Sequence, residues 1–467
     1  MFDGSGSRFA AVTGTGARVW DTRSGRQVAG LDGRGVRSAS FSGDGSFLAT
    51  AHTQEIRVWR LTSPGAPVFR HSLDNQHLYG APAWDPDRPV LRYLEGGTVH
   101  ALDLAAAVTS AWRDRLLDDV RLSPDGRTYA TAERSGTRYL FQLRATGDGH
   151  PLHTLPPVPV PVYRDPSAPV APRDTVPLMA FSSDGRAFAY GVSAPGRDAD
   201  ARRFTVWDLH RDRTRSTLDL AGPAVVSITL GPGGGTLYAA RVPPVGKLSD
   251  EVWDTDHQRR TAVLTGLASS LAVRPDGRLL LGDGRVARLP SGRVGGHDLV
   301  QGDEVGALAF ASDGSLLAAG DQTGRVALWD GNPRHRAGVL RNVFPAPLGE
   351  AAEAVSALAL SPDGRTLAVG GDAGSVQPWD VATRQPLGGP LTTPGESIDS
   401  LAFAPDGTTL YAGSPHVPLQ RYVVDPERAV TEVCARTGST GLTRTQWHTY
   451  VPDAPYRRIC GDAASPG

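Results

Sequence analysis

Cysteine is nearly missing from this chain of 467 residues: there are 2, Cys434 and Cys460. So few exclude a disulfide-stapled scaffold and make the cytoplasm the expected compartment. Lysine is scarcer still. Of the 48 Lys and Arg residues, only Lys247 is lysine, an imbalance that reads as the coding bias of a GC-rich genome. No run of about 18 apolar residues occurs, and the opening MFDGSGSRFAAV lacks an apolar stretch of signal-peptide length. Membrane insertion is therefore not expected. A surplus of one charge sign is also lacking. With a net charge of −1, no basic field exists to hold nucleic acid or an anionic membrane surface.

Turn formers are plentiful instead, with 55 Gly and 37 Pro. They mark a repeat. Ten units each consist of an apolar run, a four-residue turn and a second apolar run. The turns read Asp3-Gly4, Asp44-Gly45, Asp87-Arg88, Asp125-Gly126, Asp184-Gly185, Gly233-Gly234, Asp276-Gly277, Asp313-Gly314, Asp363-Gly364 and Asp406-Gly407. A period of about 40–45 residues with three or four short strands per unit predicts propeller blades. In Ser361-Pro362-Asp363-Gly364, proline presets φ, aspartate tolerates the bridge region and glycine takes the left-handed position that closes the hairpin. Flanking runs such as Ala357-Leu358-Ala359-Leu360 are apolar at consecutive positions. Such a strand needs cover on both faces, which neighbouring blades supply.

A third run often ends in Trp-Asp, at Trp20-Asp21, Trp207-Asp208, Trp253-Asp254, Trp329-Asp330 and Trp379-Asp380. The tryptophan is expected to wedge between blades, and the aspartate to bond its own backbone in the next turn. On these motifs, in register over roughly residues 1–425, the chain resembles a WD40-repeat protein. The resemblance implies an all-β, WD40-type propeller of four-stranded antiparallel blades. Departures are visible. Trp59-Arg60, Leu102-Asp103, Phe141-Gln142, Arg288-Leu289 and Tyr422-Val423 are read at the Trp-Asp position, and the Gly-His pair that the family places before the first strand survives only as Gly296-His297. The family's His-Ser-Trp-Asp hydrogen-bond network is therefore not expected in most units, which leaves apolar packing to hold the blades. Pro378 lies inside a strand, where a bulge is expected.

Ten units exceed the usual four to eight blades. The preferred division is an incomplete N-terminal propeller over 1–109, a closed seven-bladed one over 110–437 and a tail with a short helix over 438–467. One ring of ten blades is the alternative. The chain begins in mid-unit, which suggests truncation, a misplaced start, or self-association through exposed N-terminal blade edges. The proline-rich stretch from Gly147 to Thr175 is read as extended and exposed, an inter-blade connection or a ligand for a proline-recognising partner. Ser193–Arg203 and Val242–Glu251 are read as hairpin loops, and Asn332–Ala354 as a connector with a short helix at Glu350–Ala354. In the tail, Thr443 and Gln446 have capping-box spacing for a helix through Trp447 and Tyr450, ending near Pro452. This tail resembles those that close WD40 regions in proteins of actinobacterial-type genomes, which often join the propeller to a signalling module. Cys434 and Cys460 approach if the helix folds back, as a buried thiol pair or as a disulfide.

Chemistry is hard to find. There is no Gly-x-Ser-x-Gly elbow, no Cys-x-x-Cys and no His-x-x-x-His. Gly14-Thr15-Gly16 lacks the rest of a phosphate loop, and Asp85-Pro86-Asp87 the rest of a calcium loop. Asp250-Glu251 and Asp303-Glu304 are read as solvated loop charges. Arg202-Arg203, Arg259-Arg260 and Arg457-Arg458 lack interleaved aromatics. No catalytic, cofactor-binding or metal-binding residue is assigned, and no cofactor. The expected function is a non-catalytic scaffold or sensor module whose loop faces meet a protein or peptide partner, within a larger bacterial signalling protein. The alternative is a lactonase- or hydrolase-like propeller enzyme with its site in the central channel.

Overall fold

In a computed structural model the chain is all-β, with strands gathered into ten separate antiparallel sheets that follow one another along the sequence. The structure describes residues 1–460 apart from 33–34, 66, 74–77, 110, 161–174, 195–202, 243–247, 268–270, 283, 345–351, 426–427, 429, 432–433, 436–440, 451–454 and 459. Within each sheet the strands pair in chain order, as successive hairpins must.

The first strands of the last seven sheets run Asp119–Leu122, Val176–Phe181, Ala224–Leu230, Ala272–Val273, Val305–Phe310, Val355–Leu360 and Ser400–Phe403. Each lies beside the next, and the last lies beside the first, so seven blades close a ring. Side chains lock the closure. The Leu122 amide donates to Ser400 Oγ at 3.0 Å, and Arg421 donates to the Thr146 carbonyl at 2.6 Å. The turns form a belt on one face. Gly126, at φ 67°, sits so tightly against the Phe403 carbonyl that a Cβ there would lie 1.9 Å from its oxygen. The first three sheets form an arc outside this ring.

The turn chemistry is as read. The Gly364 amide donates to the Ser361 carbonyl at 2.8 Å, and Ser361 Oγ donates to Asp363 at 2.6 Å. In the first unit the turn lies two residues later: Gly6 (φ 70°), not Gly4, takes the left-handed position. Register also moves two of the Trp-Asp positions. Thr128 pairs with Ala145 and Leu279 with Arg288, as Leu316 pairs with Asp330. Arg144-Ala145 and Ala287-Arg288 therefore stand there, rather than Phe141-Gln142 and Arg288-Leu289.

Pro378 makes no bulge against the second strand, for Ala368 pairs with it in continuous register. Its missing N–H falls on the outer side, where the fourth strand is only Gln385–Pro386. The bulges lie elsewhere. In six sheets the register slips between the third and fourth strands, at steps such as Val19/Trp20, Leu143/Arg144 and Leu328/Trp329.

Two supposed connectors contain strands: Pro151–Thr154 and Arg336–Leu340 are outer strands, because each can pair with an exposed third-strand edge. Ala352–Ala354 is not helical, and the other residues of the helix expected at 350–354 fall outside the described residues, as do 161–174, 195–202 and 243–247. Gly14-Thr15-Gly16 joins two paired strands as a hairpin turn. In the tail, Thr443 and Gln446 form the capping box: Gln446 Oε1 accepts from the Thr443 amide at 2.9 Å, ahead of a helix over Arg444–Tyr450. Trp447 packs edge-on against Tyr456. Cys434 and Cys460 are bonded, so of the two states left open the disulfide is the one present.

Candidate functional site

The axis of the seven-bladed ring is a channel with a cavity of about 480 Å³. All seven inner walls reach it, through Asp119, Leu178, Ser227, Leu271, Ala307, Ala357 and Ser400. Three inner strands bulge there, each inserting one extra residue, Val226, Gly306 or Ser356, into the wall. Bulges commonly re-aim side chains at rims of this kind.

One charged cluster breaks the small and aliphatic lining, where the first and last blades of the ring meet. Asp119 and Arg121 sit on one inner strand, two residues apart and hence on the same side of it, 3.1 Å from carboxylate to guanidinium. Arg121 also reaches the Asp399 carbonyl at 3.4 Å. At its register position the six other inner strands carry Ala180, Thr229, Ala272, Ala309, Ala359 and Ala402. Only Arg121 is long enough there to enter the channel, and its side chain stays 47 % exposed.

Burial pushes the Asp119 carboxyl up, against the opposing charge and hydrogen bond of Arg121. The charge of Asp119 in turn raises Arg121. Asp399 is pushed up to about 7, first by burial and then by repulsion from Asp119, with Arg121 opposing and Glu396 adding. The sign follows by linkage. The unfolded chain releases this proton near pH 4 and the folded chain only near 7. Stability therefore falls as pH rises between those values, and the penalty is complete above 7. Asp399→Asn should leave stability unchanged at pH 3 and raise it by roughly 2 kcal/mol at pH 8, after allowing for water in the channel. Unfolding free energies of both proteins across that range check this; a constant difference contradicts it.

A second cluster joins the arc to the ring. The Arg60 guanidinium lies between two rings, 4.6 Å from Phe47 and 4.2 Å from Trp112. Trp112 stacks on His416 at 4.0 Å. His416 Nδ1 is 2.6 Å from Glu396, whose other oxygen accepts from the His416 amide and from Ser414. The Arg of Trp59-Arg60 thus has a use that Asp could not serve: it stacks on the segment that links the two bodies.

Sequence reading missed these groups; of the acids that lead into the inner strands it missed Asp118 and Glu353 and read Asp303 as a solvated loop charge. Asp118 accepts from the Arg134 amide at 2.7 Å, and Glu353 from the Ala373 and Ser375 amides at 2.9 and 3.0 Å. Asp303 pairs with Arg325 at 3.2 Å. In these three blades an acid one or two residues ahead of the first strand is the signal that was available. In these blades it holds the hairpin between the second and third strands. The second sheet keeps a polar core instead, with Trp59 Nε1 donating to Thr50 Oγ1 at 2.9 Å and His52 at 3.1 Å from the same oxygen.

Asp250-Glu251 is a correction: neither is a solvated loop charge. Both lie on the strand Ser249–Asp254, 0 % and 6 % exposed. Glu251 accepts from Arg241 at 2.7 Å, from Trp253 Nε1 at 2.9 Å and from Arg260 at 2.8 Å. Arg241 also donates to the Leu220, Ala221 and Pro223 carbonyls. Among the described residues no group of three His, Cys, Asp or Glu side chains is placed to hold a metal ion, and no helix is long and apolar enough to cross a membrane.

The family model described as "WD domain, G-beta repeat" matches residues 25–60, 290–330 and 341–380. Among solved structures, Kuenenia stuttgartiensis hydrazine synthase superposes with a TM-score of 0.48 at 18% identity, over 68% of this chain and 98% of that one. No curated protein matches the chain.

Proposed function

This chain carries WD40 repeats, and on that premise we propose that it is a non-catalytic interaction scaffold, a rigid propeller whose loop-bearing faces receive a protein or peptide partner. What supports the reading is the state of the channel charges. Asp119 is tied to Arg121, and the rest of the wall is mostly small or aliphatic. A hydrolase of this shape needs acids or a metal converging on one point. A rigid disc with variable loops needs none, and its specificity sits in the loops.

One observation favours the rival enzyme. Asp399, close to neutrality, is a carboxyl able to exchange a proton at working pH. The two readings separate in one experiment. Chromogenic lactones, esters and glycosides are offered to the wild type and to Asp119→Asn and Asp399→Asn, with and without calcium, while a displayed peptide library is panned on the same proteins. The scaffold reading expects no turnover and an enriched peptide family. Turnover abolished by both substitutions would overturn it.

The wider role in a bacterial signalling assembly rests on the tail resemblance alone. The cytoplasmic placement rests on the cysteine count, and the Cys434–Cys460 bond favours an oxidising compartment instead. Alkylation of thiols in intact cells distinguishes the two.

A further inference from the structure

We propose that two copies of this chain complete a second ring of six sheets, the first sheet of each copy covering the third sheet of the other. The strand that follows the turn in each sheet shows whether one face or both are covered; in the first sheet, which has three strands, it is also the edge strand. Phe47–Ala51 is buried at every position, and Leu316–Asp321 and Thr366–Gly371 at every position after the first. Two strands differ. Arg8–Thr13 is buried only at Ala10, and Val90–Glu95 only at the alternate residues Leu91, Tyr93 and Glu95. The first and third sheets therefore each have one covered face, turned to the second sheet, and one that lacks the cover present elsewhere.

The two open faces are of complementary kinds. At the internal junctions, the tryptophan of each Trp-Asp position packs on the sheet before it: Trp59 on Ala10 and Val19, Trp329 on Leu279 and Leu281. Trp20 occupies the same position in the first sheet, aimed where a preceding sheet would stand. It carries an aromatic run with Phe9 and Phe2, centroids 6.1 and 5.1 Å apart, and Phe2 is 62 % exposed. The open face of the third sheet is what a preceding sheet offers. Val90, Arg92 and Leu94 alternate with its covered residues, and Val99, the partner of Leu94, is 69 % exposed. Within one copy the second sheet separates the two faces. Across a two-fold axis they meet twice. Six sheets fall within the usual range for a closed propeller, and two-fold symmetry ends the assembly at two copies. Exposed apolar side chains such as Phe2 and Val99 are otherwise a liability.

Sedimentation velocity of the full chain, from about 1 to about 100 μM, tests this. A dimer is expected. Phe2→Glu, on one face, and Val99→Glu, on the other, should each weaken it by about tenfold or more. Both residues are mostly exposed, so unchanged circular dichroism melts will show that the fold survives. Mixing the two variants is the decisive step. A mixed pair has one junction in which both faces are intact, so association should partly return. A monomer at the highest concentration overturns the proposal. So do variants that associate as the wild type does, association that grows beyond two copies, or a mixture that recovers nothing.

Discussion

Glu251→Ala should lower the stability of the protein by about 3–5 kcal/mol, because it strands a buried cation. Arg241 is 1 % exposed and has a single acidic partner, 2.7 Å away. Backbone carbonyls complete its hydrogen bonds but cannot neutralise it. The same substitution removes the acceptor of Trp253 Nε1. Burial pushes the Glu251 carboxyl up, yet the hydrogen bonds and charge of Arg241, with Trp253 and Arg260, outweigh it and hold the group below the ordinary carboxylate range. A depressed folded value stabilises above the unfolded one, so this contribution should be present at neutral pH and fade as the solution turns acid. Denaturant unfolding of the wild type, Glu251→Ala and the double variant Arg241→Met/Glu251→Leu checks it. The double variant should lose much less than the single one, because apolar replacement of both partners leaves no orphaned charge. Equal losses in the two would contradict the argument.

That network shows where sequence reading fails. Apolar runs, Asp-Gly turns and Trp-Asp ends reveal the propeller because each states a local demand: cover on two faces, a left-handed residue, a wedge between sheets. Asp250-Glu251 states no such demand. Its neighbours, Ser249 and Asp254 at the strand ends, are those of a loop as much as of a strand, and the cation that draws Glu251 inward stands ten residues earlier on another strand. Asp399 and Arg121 are farther apart still, 278 residues, and meet only because the ring closes. The register errors have a smaller cause. Pairing with the second strand places Arg144 and Ala287 where tryptophan is usual, whereas Phe141, the nearby aromatic, lies three residues before Arg144. Pairing across strands, not sequence spacing, decides such positions.

The positions that do hold tryptophan give the sharpest test of the wedge. Trp329→Ala should cost about 3–5 kcal/mol. Its indole is 8 % exposed and fills the space between Leu279 and Leu281 of one sheet and Leu317 and Ala319 of its own. His297, of the surviving Gly-His pair, meets it edge-on at 4.7 Å. Its Nε1 donates to the Leu299 carbonyl at 3.1 Å, so truncation opens a cavity and strands an acceptor as well. Trp20→Ala is the control. It has the same register within its own sheet, with Phe9 opposite as Leu317 lies opposite Trp329. What it lacks in a single copy is a preceding sheet to fill against. Measured by denaturant unfolding at concentrations where the chain is monomeric, the Trp20 substitution should cost about 1 kcal/mol or less. If both cost the same, the stabilisation belongs to the indole within its own sheet. A large loss at Trp329 alone assigns it to the junction between sheets, and hence to ring closure as the source of this protein's stability.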